Sequence, residues 1–271
     1  MSKPSLKLGI SPCPNDTYIF HHLLQNGHDD FELEVEFHDI EDLNRLCREN
    51  YFDIAKISCA LLGEVSGYYG LLRSGGALGR GCGPLLVARE PRSLQPGDRV
   101  LSPGSRTTAQ LLLQRYAQVP IDIHQTLFSD IIPRLKQGQG AFGLLIHESR
   151  FTYQDHGLYL VEDLGSWWES ATGAPIPLGG LVARRSLPAS IVGSLQEAVA
   201  GSIGEAHRGP QGTMDFCARY AQEMDQDVMA QHIALYVNDY SLDIGVEGEE
   251  AISFLLYGNR DATAAYLWEH S

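Results

Sequence analysis

The chain has 271 residues, 44% of them hydrophobic and 20% charged, so it is long enough to form one large domain or two lobes with a packed core. It carries 20 basic and 34 acidic side chains and lacks a basic stripe, so we expect no nucleic acid as a partner. No stretch approaches roughly 18 consecutive apolar residues, so we expect no insertion into a membrane.

The first predicted strand is "LKLGI" (6–10), and the turn behind it is rich in proline. Within "SPCPNDTY" (11–18), two prolines fix φ and remove N–H donors, which stiffens the turn. Asn15 or Asp16 is the expected N-cap of a helix that ends at Asn26-Gly27. The turn is either a rigid connection into a capped helix or one wall of a binding site beyond the strand end.

Alternating strands and helices continue up to residue 90. The segment "FELEVEFHD" (31–39) has apolar residues at every second position, which predicts a strand, and Asp39 is the expected cap of the next helix. The segment "FDIAKIS" (52–58) predicts another strand, followed by a helix and a glycine-rich stretch. An apolar strand, "PLLVARE" (84–90), closes this region.

The polar segment "PRSLQPGD" (91–98) marks a boundary, because it combines two prolines with a glycine. Behind it, a second α/β unit runs to the strand "AFGLLIH" (141–147). Residues 165–179 are predicted as a loop, in which two adjacent tryptophans either cover a hydrophobic edge or face an aromatic ligand. Helical periodicity dominates from Ser190 onward.

This order of elements predicts an α/β protein of two lobes joined by two crossovers. Residues 91–178 would form the smaller lobe, and residues 1–90 together with 179–271 the larger one. Alternation of strands and helices favours mainly parallel sheets. The cleft between two such lobes is the expected ligand site.

Several predicted strands end beside hydroxyl or titratable side chains. Because the carboxyl ends of parallel strands meet at one sheet edge, we expect these groups to converge on one pocket. Each ending is also explained by ordinary helix capping, since Ser and Thr are common caps. The groups are Ser11, Lys56, Ser58, Ser102, Thr107, Thr108 and His147.

The segment "SPGSRTTAQLLLQ" (102–114) is the best candidate for an anion site. Thr107 or Thr108 would cap a helix whose first N–H groups have no intrahelical partner, and such a helix end suits a carboxylate. The alternative is simple capping without a ligand.

His147 is the best candidate for a general base. Its ordinary pKa is about 6.5, so it can hold or release a proton near neutral pH. The alternative is a packed or capping histidine. Neighbouring strand residues point to opposite faces, so Glu148 is a poor candidate for orienting its ring.

The five cysteines form no metal-binding spacing, and no nucleotide-binding or serine-hydrolase motif is present. With no signal-peptide pattern at the first residues, we expect a cytoplasmic protein with reduced thiols. Cys13 is a weak candidate for a nucleophile, because no base is evident beside it.

Seven segments carry a resemblance along nearly the whole chain. The sequence resembles the 1,4-dihydroxy-6-naphthoate synthases, enzymes of the futalosine route to menaquinone. Cys59 stands where this family has an aromatic residue, which bears on the shape of the pocket. The segments are "SPCPNDTYIF" (11–20), "FDIAKIS" (52–58), "GRGCGPLLV" (79–87), "SRTTAQLLL" (105–113), "GLLIHESRFTY" (143–153), "TGAPIPLG" (172–179) and "YVNDYSLDIGVEGEEAI" (236–252).

The resemblance implies a fold like that of the type II periplasmic binding proteins, with two crossing strands and a helical C-terminal segment. It implies a carbon–carbon lyase that converts cyclic dehypoxanthine futalosine, a carboxylated aromatic small molecule, to 1,4-dihydroxy-6-naphthoate. His147 would accept the proton, and no metal or organic cofactor is implied. The implied substrate contacts are Lys56, Ile57, Ser58, Thr107, Thr108 and Ala109, and from their position we add Ser11 and Asn15.

Two other functions stay open. A non-catalytic protein that binds small anions could share the architecture, although a secreted binder needs a signal sequence. A chorismate dehydratase of the same route is the second, and it lacks the "SPCPNDT" signature.

Overall fold

The computed structural model describes residues 3–221, 225–260 and 265–268. Two β-sheets organise this part of the chain. The first sheet contains β1 (Ser5–Ile10), β2 (Glu32–Phe37), β3 (Ile54–Ser58), β4 (Tyr69–Leu71), β5 (Ala77–Gly79) and β11 (Ile176–Arg184). The second contains β6 (Leu85–Ala88), β7 (Arg99–Ser102), β8 (Asp122–Gln125), β9 (Phe142–Leu145) and β10 (Tyr159–Asp163).

The helices cover both sheets and make up most of the C-terminal third. Those up to residue 172 are α1 (Pro14–Asn26), α2 (Ile40–Arg48), α3 (Leu62–Val65), α4 (Thr108–Tyr116), α5 (Ile131–Lys136), α6 (Ser149–Thr152) and α7 (Leu164–Thr172). The C-terminal ones are α8 (Ala189–Arg208), α9 (Pro210–Cys217), α10 (Gln226–Tyr236), α11 (Asp239–Leu242) and α12 (Gly245–Tyr257). None of the described helices is long and apolar enough to cross a membrane.

Both sheets are mixed, so the prediction of mainly parallel sheets is wrong. In the first sheet β1 pairs in parallel with β2 and β3, but β11 runs antiparallel to β3, β4 and β5. In the second sheet β7 is parallel to β8 and β9, but β6 is antiparallel to β9 and β10. The reason is that β6 and β11 carry the chain from one sheet into the other, so they enter against the direction of the resident strands.

These two crossings are the ones that the sequence predicted. The predicted lobe boundaries at residues 90 and 178 lie just after β6 and inside β11, respectively. Where one lobe ends and the other begins stays a prediction.

A continuous apolar core ties the sheets together. One cluster of buried side chains includes Ile57 from the first sheet, Leu86 and Phe142 from the second, and Trp168 from α7. A second cluster packs α1 and α8 against the outer face of the first sheet, for example through Phe20 and Leu195. Burial of about 25 cal/mol per Å² of apolar surface makes such packing the main stabilising contribution.

The segment predicted as a loop over residues 165–179 instead contains α7 and the start of β11. Asp163 caps this helix by accepting hydrogen bonds from the N–H groups of Gly165 and Ser166. The helix ends at Gly173, whose φ of 69° suits glycine. Trp168 is buried, and its Nε1 donates to the carbonyl of Pro175 at 3.1 Å, so this residue packs in the core and faces no ligand.

The cap predicted for α1 is also wrong, whereas two others are confirmed. Cys13 occupies the N-cap position without a side-chain cap, because Pro14 already fits the first helical position. Asn15 and Asp16 therefore lie inside the first turn. Asp39 caps α2 and Thr107 caps α4, each through its side-chain oxygen.

Candidate active site

A cavity is lined by strand residues of the first sheet and by residues that lie next to strands of the second sheet, such as Pro84 before β6 and His147 after β9. Ser102, which was also expected at this pocket, does not line it, because its buried hydroxyl donates to Gln110 Oε1 at 2.9 Å. Of the nine residues expected to act as the base or as substrate contacts, eight line the cavity: Ser11, Asn15, Lys56, Ser58, Thr107, Thr108, Ala109 and His147. The ninth, Ile57, is not a lining residue, because its fully buried side chain belongs to the core. Neighbouring residues of a strand face opposite sides of the sheet, so Lys56 and Ser58 face the cavity while Ile57 faces away.

A buried ion pair lies on the side of this cavity formed by the first sheet and α1. Lys56 Nζ is 3.2 Å from Asp16 Oδ1, and the two side chains are 4% and 2% exposed. Asp16 Oδ2 also accepts hydrogen bonds from the backbone N–H of Ser11 at 3.1 Å and from its hydroxyl at 2.6 Å. Lys56 in turn donates to the carbonyl of Gly75. The charges are therefore compensated within the protein, as burial requires.

Ser58 is held at the end of β3 by a reciprocal pair of hydrogen bonds. Asn44 Nδ2 donates to Ser58 Oγ at 3.0 Å, and Ser58 N–H donates to Asn44 Oδ1 at 2.9 Å. Asn44 is buried on α2. This pair fixes the hydroxyl at the cavity wall.

The N-terminus of α4 faces the cavity from the other sheet. Thr107 Oγ1 accepts the N–H of Gln110, so the cap satisfies one of the first N–H groups of the helix. The N–H groups of Thr108 and Ala109 have no intrahelical acceptor, as at any helix start. The Thr108 hydroxyl donates to the carbonyl of Leu178 at 2.9 Å, which joins α4 to β11. This end of the helix is suited to an anion.

His147 follows β9 with φ of 55°, a left-handed conformation that is uncommon for a residue other than glycine. Phe128 contacts its ring edge-on, with centroids 5.0 Å apart. Withdrawal from water lowers the pKa of His147, against the opposing influence of the Glu148, Asp16 and Asp39 carboxylates. The imidazole is therefore neutral at pH 7 and able to accept a proton.

Sequence reasoning did not identify His232, which also lines the cavity. His232 Nε2 lies 2.9 Å from Asn15 Oδ1, and its ring is nearly parallel to that of His147, with 7° between the planes and 6.2 Å between the centroids. No sequence pattern marks His232 as a site residue, because it lies 85 positions beyond His147 on a helix that contains no motif. Cys82 and Tyr236 also line the cavity and were not predicted, although both lie within segments that carry the family resemblance.

The cysteine thiols are not activated. Burial raises the pKa of Cys13 well above its ordinary value and that of Cys82 to about 12, so neither is a thiolate at neutral pH. Cys59 is buried in the core and is not a cavity residue. Among the residues that the structure describes, no cluster of three or more His, Cys, Asp or Glu side chains could hold a metal ion.

Sequence comparison links the chain to a biosynthetic family. A family model described as "Menaquinone biosynthesis" matches residues 6–258. A Thermus thermophilus protein named 1,4-dihydroxy-6-naphthoate synthase is 46% identical over 254 residues, which cover 93% of this chain and 92% of the relative. A Streptomyces coelicolor protein of the same name is 41% identical over 262 residues, or 94% and 93% of the two chains.

Structure comparison identifies the fold. A crystal structure of an Archaeoglobus fulgidus protein superposes with a TM-score of 0.89 at 30% identity, covering 93% of this chain and 95% of that one. The aliphatic sulphonate binding protein SsuA of Escherichia coli superposes with a TM-score of 0.66 at 11% identity, covering 100% of this chain and 94% of that one. That likeness concerns the fold alone, and it confirms the predicted two-lobed, periplasmic-binding-protein-like architecture.

Proposed function

The chain belongs to the menaquinone biosynthesis family, and from this premise we propose that it is a lyase that converts cyclic dehypoxanthine futalosine to 1,4-dihydroxy-6-naphthoate. The observation that carries the proposal is that one cavity holds both a neutral histidine and a helix N-terminus. The former can take a proton, and the latter can hold a carboxylate. The chemistry of this substrate requires both a base and a site for its carboxylate.

The substrate carries a carboxylate on its aromatic ring. Thr108 and Ala109 at the start of α4 provide N–H donors, and Thr107 is the cap at the positive end of this helix. This local field offsets the net charge of −14, which disfavours anions in general. We place the ring carboxylate there.

His147 then acts as the general base. It removes one proton from the bound substrate, and the electron pair that is released drives cleavage of the bond between the ring system and the sugar-derived fragment. Aromatisation of the new ring makes the cleavage favourable. A positioned base contributes about 10²–10⁴-fold in rate, so exclusion of water between the lobes supplies much of the remainder.

The remaining contacts orient the substrate. Ser11, Lys56 and Ser58 present a hydroxyl, a compensated cation and a second hydroxyl on the larger-lobe side. Asn15 already donates to Asp16 and accepts from His232, so it acts through these neighbours. Ile57 positions Lys56 and Ser58 as part of β3, and its own side chain has no role in binding.

The test is turnover of cyclic dehypoxanthine futalosine by the purified protein, followed by naphthoate absorbance. We expect the wild type to form 1,4-dihydroxy-6-naphthoate and His147→Ala to lose at least about 100-fold in turnover, because the base is gone. Its circular dichroism and affinity for the product should stay close to the wild type. His156→Ala, an exposed histidine outside the cavity, is the matched control.

Three results would contradict the proposal. If His147→Ala turns over the substrate at the wild-type rate, His147 is not the general base. Tight binding of the substrate with no product from the wild type indicates a binding protein. Conversion of chorismate instead of the futalosine derivative indicates the dehydratase.

A further inference from the structure

His232 is a buried cavity residue that the mechanism above does not use. It lies on α10, is fully buried, and contacts Tyr236 one turn further along, with ring centroids 4.7 Å apart. The ring of His147, which also lines the cavity, lies 6.2 Å from that of His232 between centroids. Among the residues that the structure describes, Asn15 is the only hydrogen-bond partner of the His232 imidazole.

The hydrogen bonds around Asn15 fix the tautomer of His232. Asn15 Nδ2 donates to Asp16 Oδ1 at 2.9 Å, and Asp16 is itself paired with Lys56. This orientation turns Asn15 Oδ1 toward His232 Nε2, at 2.9 Å. An amide oxygen can only accept, so Nε2 carries the proton. Burial and the nearby His147 lower the pKa of His232, so the ring is neutral.

It follows that Nδ1 of His232 carries a free lone pair. This atom is buried and has no hydrogen-bond partner among the described residues. A buried acceptor without a partner is unfavourable, and such atoms are uncommon in folded proteins. Here His232 lines the ligand cavity, so a bound ligand is the candidate partner for this acceptor.

We propose that His232 binds the substrate directly, with Nδ1 accepting a hydrogen bond from a hydroxyl of its sugar-derived part. The proposal rests on the function proposed above. The chain from Lys56 through Asp16 and Asn15 holds the imidazole in the one tautomer that presents an acceptor. A hydroxyl donor is the complement of that acceptor, whereas a carboxylate is not.

The position of His232 indicates that its hydrogen bond goes to the sugar-derived part of the substrate. The ring carboxylate is placed at the start of α4, whereas His232 lies on a different element, α10. The base His147 must reach the bond that breaks, which joins the ring system to the sugar-derived fragment. His232 is the neighbour of this base, so it faces the fragment that leaves.

His232→Gln tests the contact. Glutamine can place its Nε2 near the position of the imidazole Nε2 and donate to Asn15, but it has no atom at the Nδ1 position. We expect KM for cyclic dehypoxanthine futalosine to rise about ten- to a hundredfold. The affinity for 1,4-dihydroxy-6-naphthoate, which lacks the sugar-derived part, should change less than about twofold. Unchanged affinity for the product shows that the cavity is intact.

His21→Gln is the matched control. His21 is a buried histidine of α1 whose Nδ1 bonds to Thr213 at 2.9 Å, away from the cavity. This variant also loses an Nδ1 hydrogen bond and also buries an amide in place of an imidazole. We expect wild-type KM and product affinity.

Nitrogen NMR provides a second measurement that needs no change at His232. In His147→Ala, labelled with ¹⁵N-histidine, bound substrate persists because the base is absent. We expect the unprotonated Nδ1 resonance of His232 to move upfield when cyclic dehypoxanthine futalosine is added, and to stay unchanged with the product. This result supports the proposal even if His232→Gln does not fold.

Other outcomes overturn it. A wild-type KM in folded His232→Gln, or an unmoved Nδ1 resonance in the NMR titration, shows that no such contact forms. An equal loss of affinity for substrate and product shows that His232 does not recognise the sugar-derived part. If the wild type and His232→Gln turn over the substrate equally well, the contact with His232 is contradicted and the proposed function stands. If the wild type shows no turnover, both proposals are wrong.

Discussion

His147 adopts a backbone conformation that non-glycine residues rarely take, and it does so at the cavity wall. A strained residue of this kind persists only where its surroundings hold it, and such residues cluster at functional sites. Here the left-handed turn directly follows the last residues of β9, and it presents the imidazole between Phe128 and His232. The position of the ring therefore depends on tertiary contacts.

The pH dependence of turnover follows from the pKa of His147. Burial is the largest influence and lowers this pKa below 6.5, so the neutral base persists at lower pH than for an exposed histidine. We expect kcat/KM to fall at acidic pH, with the midpoint of this decline below pH 6.5. The acid limb of kcat/KM reports the pKa of the base in the free enzyme. An acid limb with its midpoint above 6.5 would contradict this assignment.

At the scale of elements, the cavity is built where secondary structure begins or ends. β1 and β3 end at it, α1 and α4 begin at it, and β11 crosses it. Strand ends supply side chains such as Lys56, and helix starts supply N–H groups. The Asp16–Lys56 pair connects two of these elements, because Asp16 lies in the first turn of α1 and Lys56 in β3.

Removing one member of this pair should destabilise the protein strongly. Asp16→Asn leaves the buried Lys56 ammonium without a counter-charge, and breaking such a pair costs about 3–5 kcal/mol. The measurement is the free energy of unfolding in urea. Asp122→Asn is the control, since its pair with Arg99 is about half exposed and is worth less than about 1 kcal/mol. Equal effects of the two variants would show that burial does not matter here.

At the scale of the whole molecule, hydrogen bonds hold the two halves of the cleft together. Glu41 on α2 accepts bonds from the N–H and the hydroxyl of Ser105, which precedes α4, at 3.0 and 2.9 Å. Arg106 pairs with Glu64 across the same boundary. A ligand bound between the halves needs them close together, so these contacts favour the binding-competent arrangement.

Glu41→Ala should therefore weaken ligand binding without touching the ligand. Loss of both bonds lowers the population of the closed arrangement, and apparent affinity falls with that population. We expect the Kd of 1,4-dihydroxy-6-naphthoate to rise about three- to tenfold in isothermal titration calorimetry. Arg106→Ala, which removes an exposed ion pair at the same boundary, should change it less than about twofold. The reverse order of effects would contradict this explanation.

Most of the elements, the two crossings and the family could be predicted from the sequence, and the match over residues 6–258 confirms the family. These features depend on local pattern: alternating apolar residues in β2, caps such as Asp39 and Thr107, and segments such as "SPCPNDTYIF". The prediction was wrong for α7, although Asp163 caps this helix and Gly173 follows its last residue.

The completion of the site depends on tertiary contacts that the sequence does not reveal. The pairing of Asp16 with Lys56 and of Asn15 with His232 joins residues 40 and 217 positions apart. The antiparallel direction of β6 and β11 likewise depends on where the chain returns. Such contacts form between distant parts of the chain, and periodicity or spacing within one segment carries no information about them.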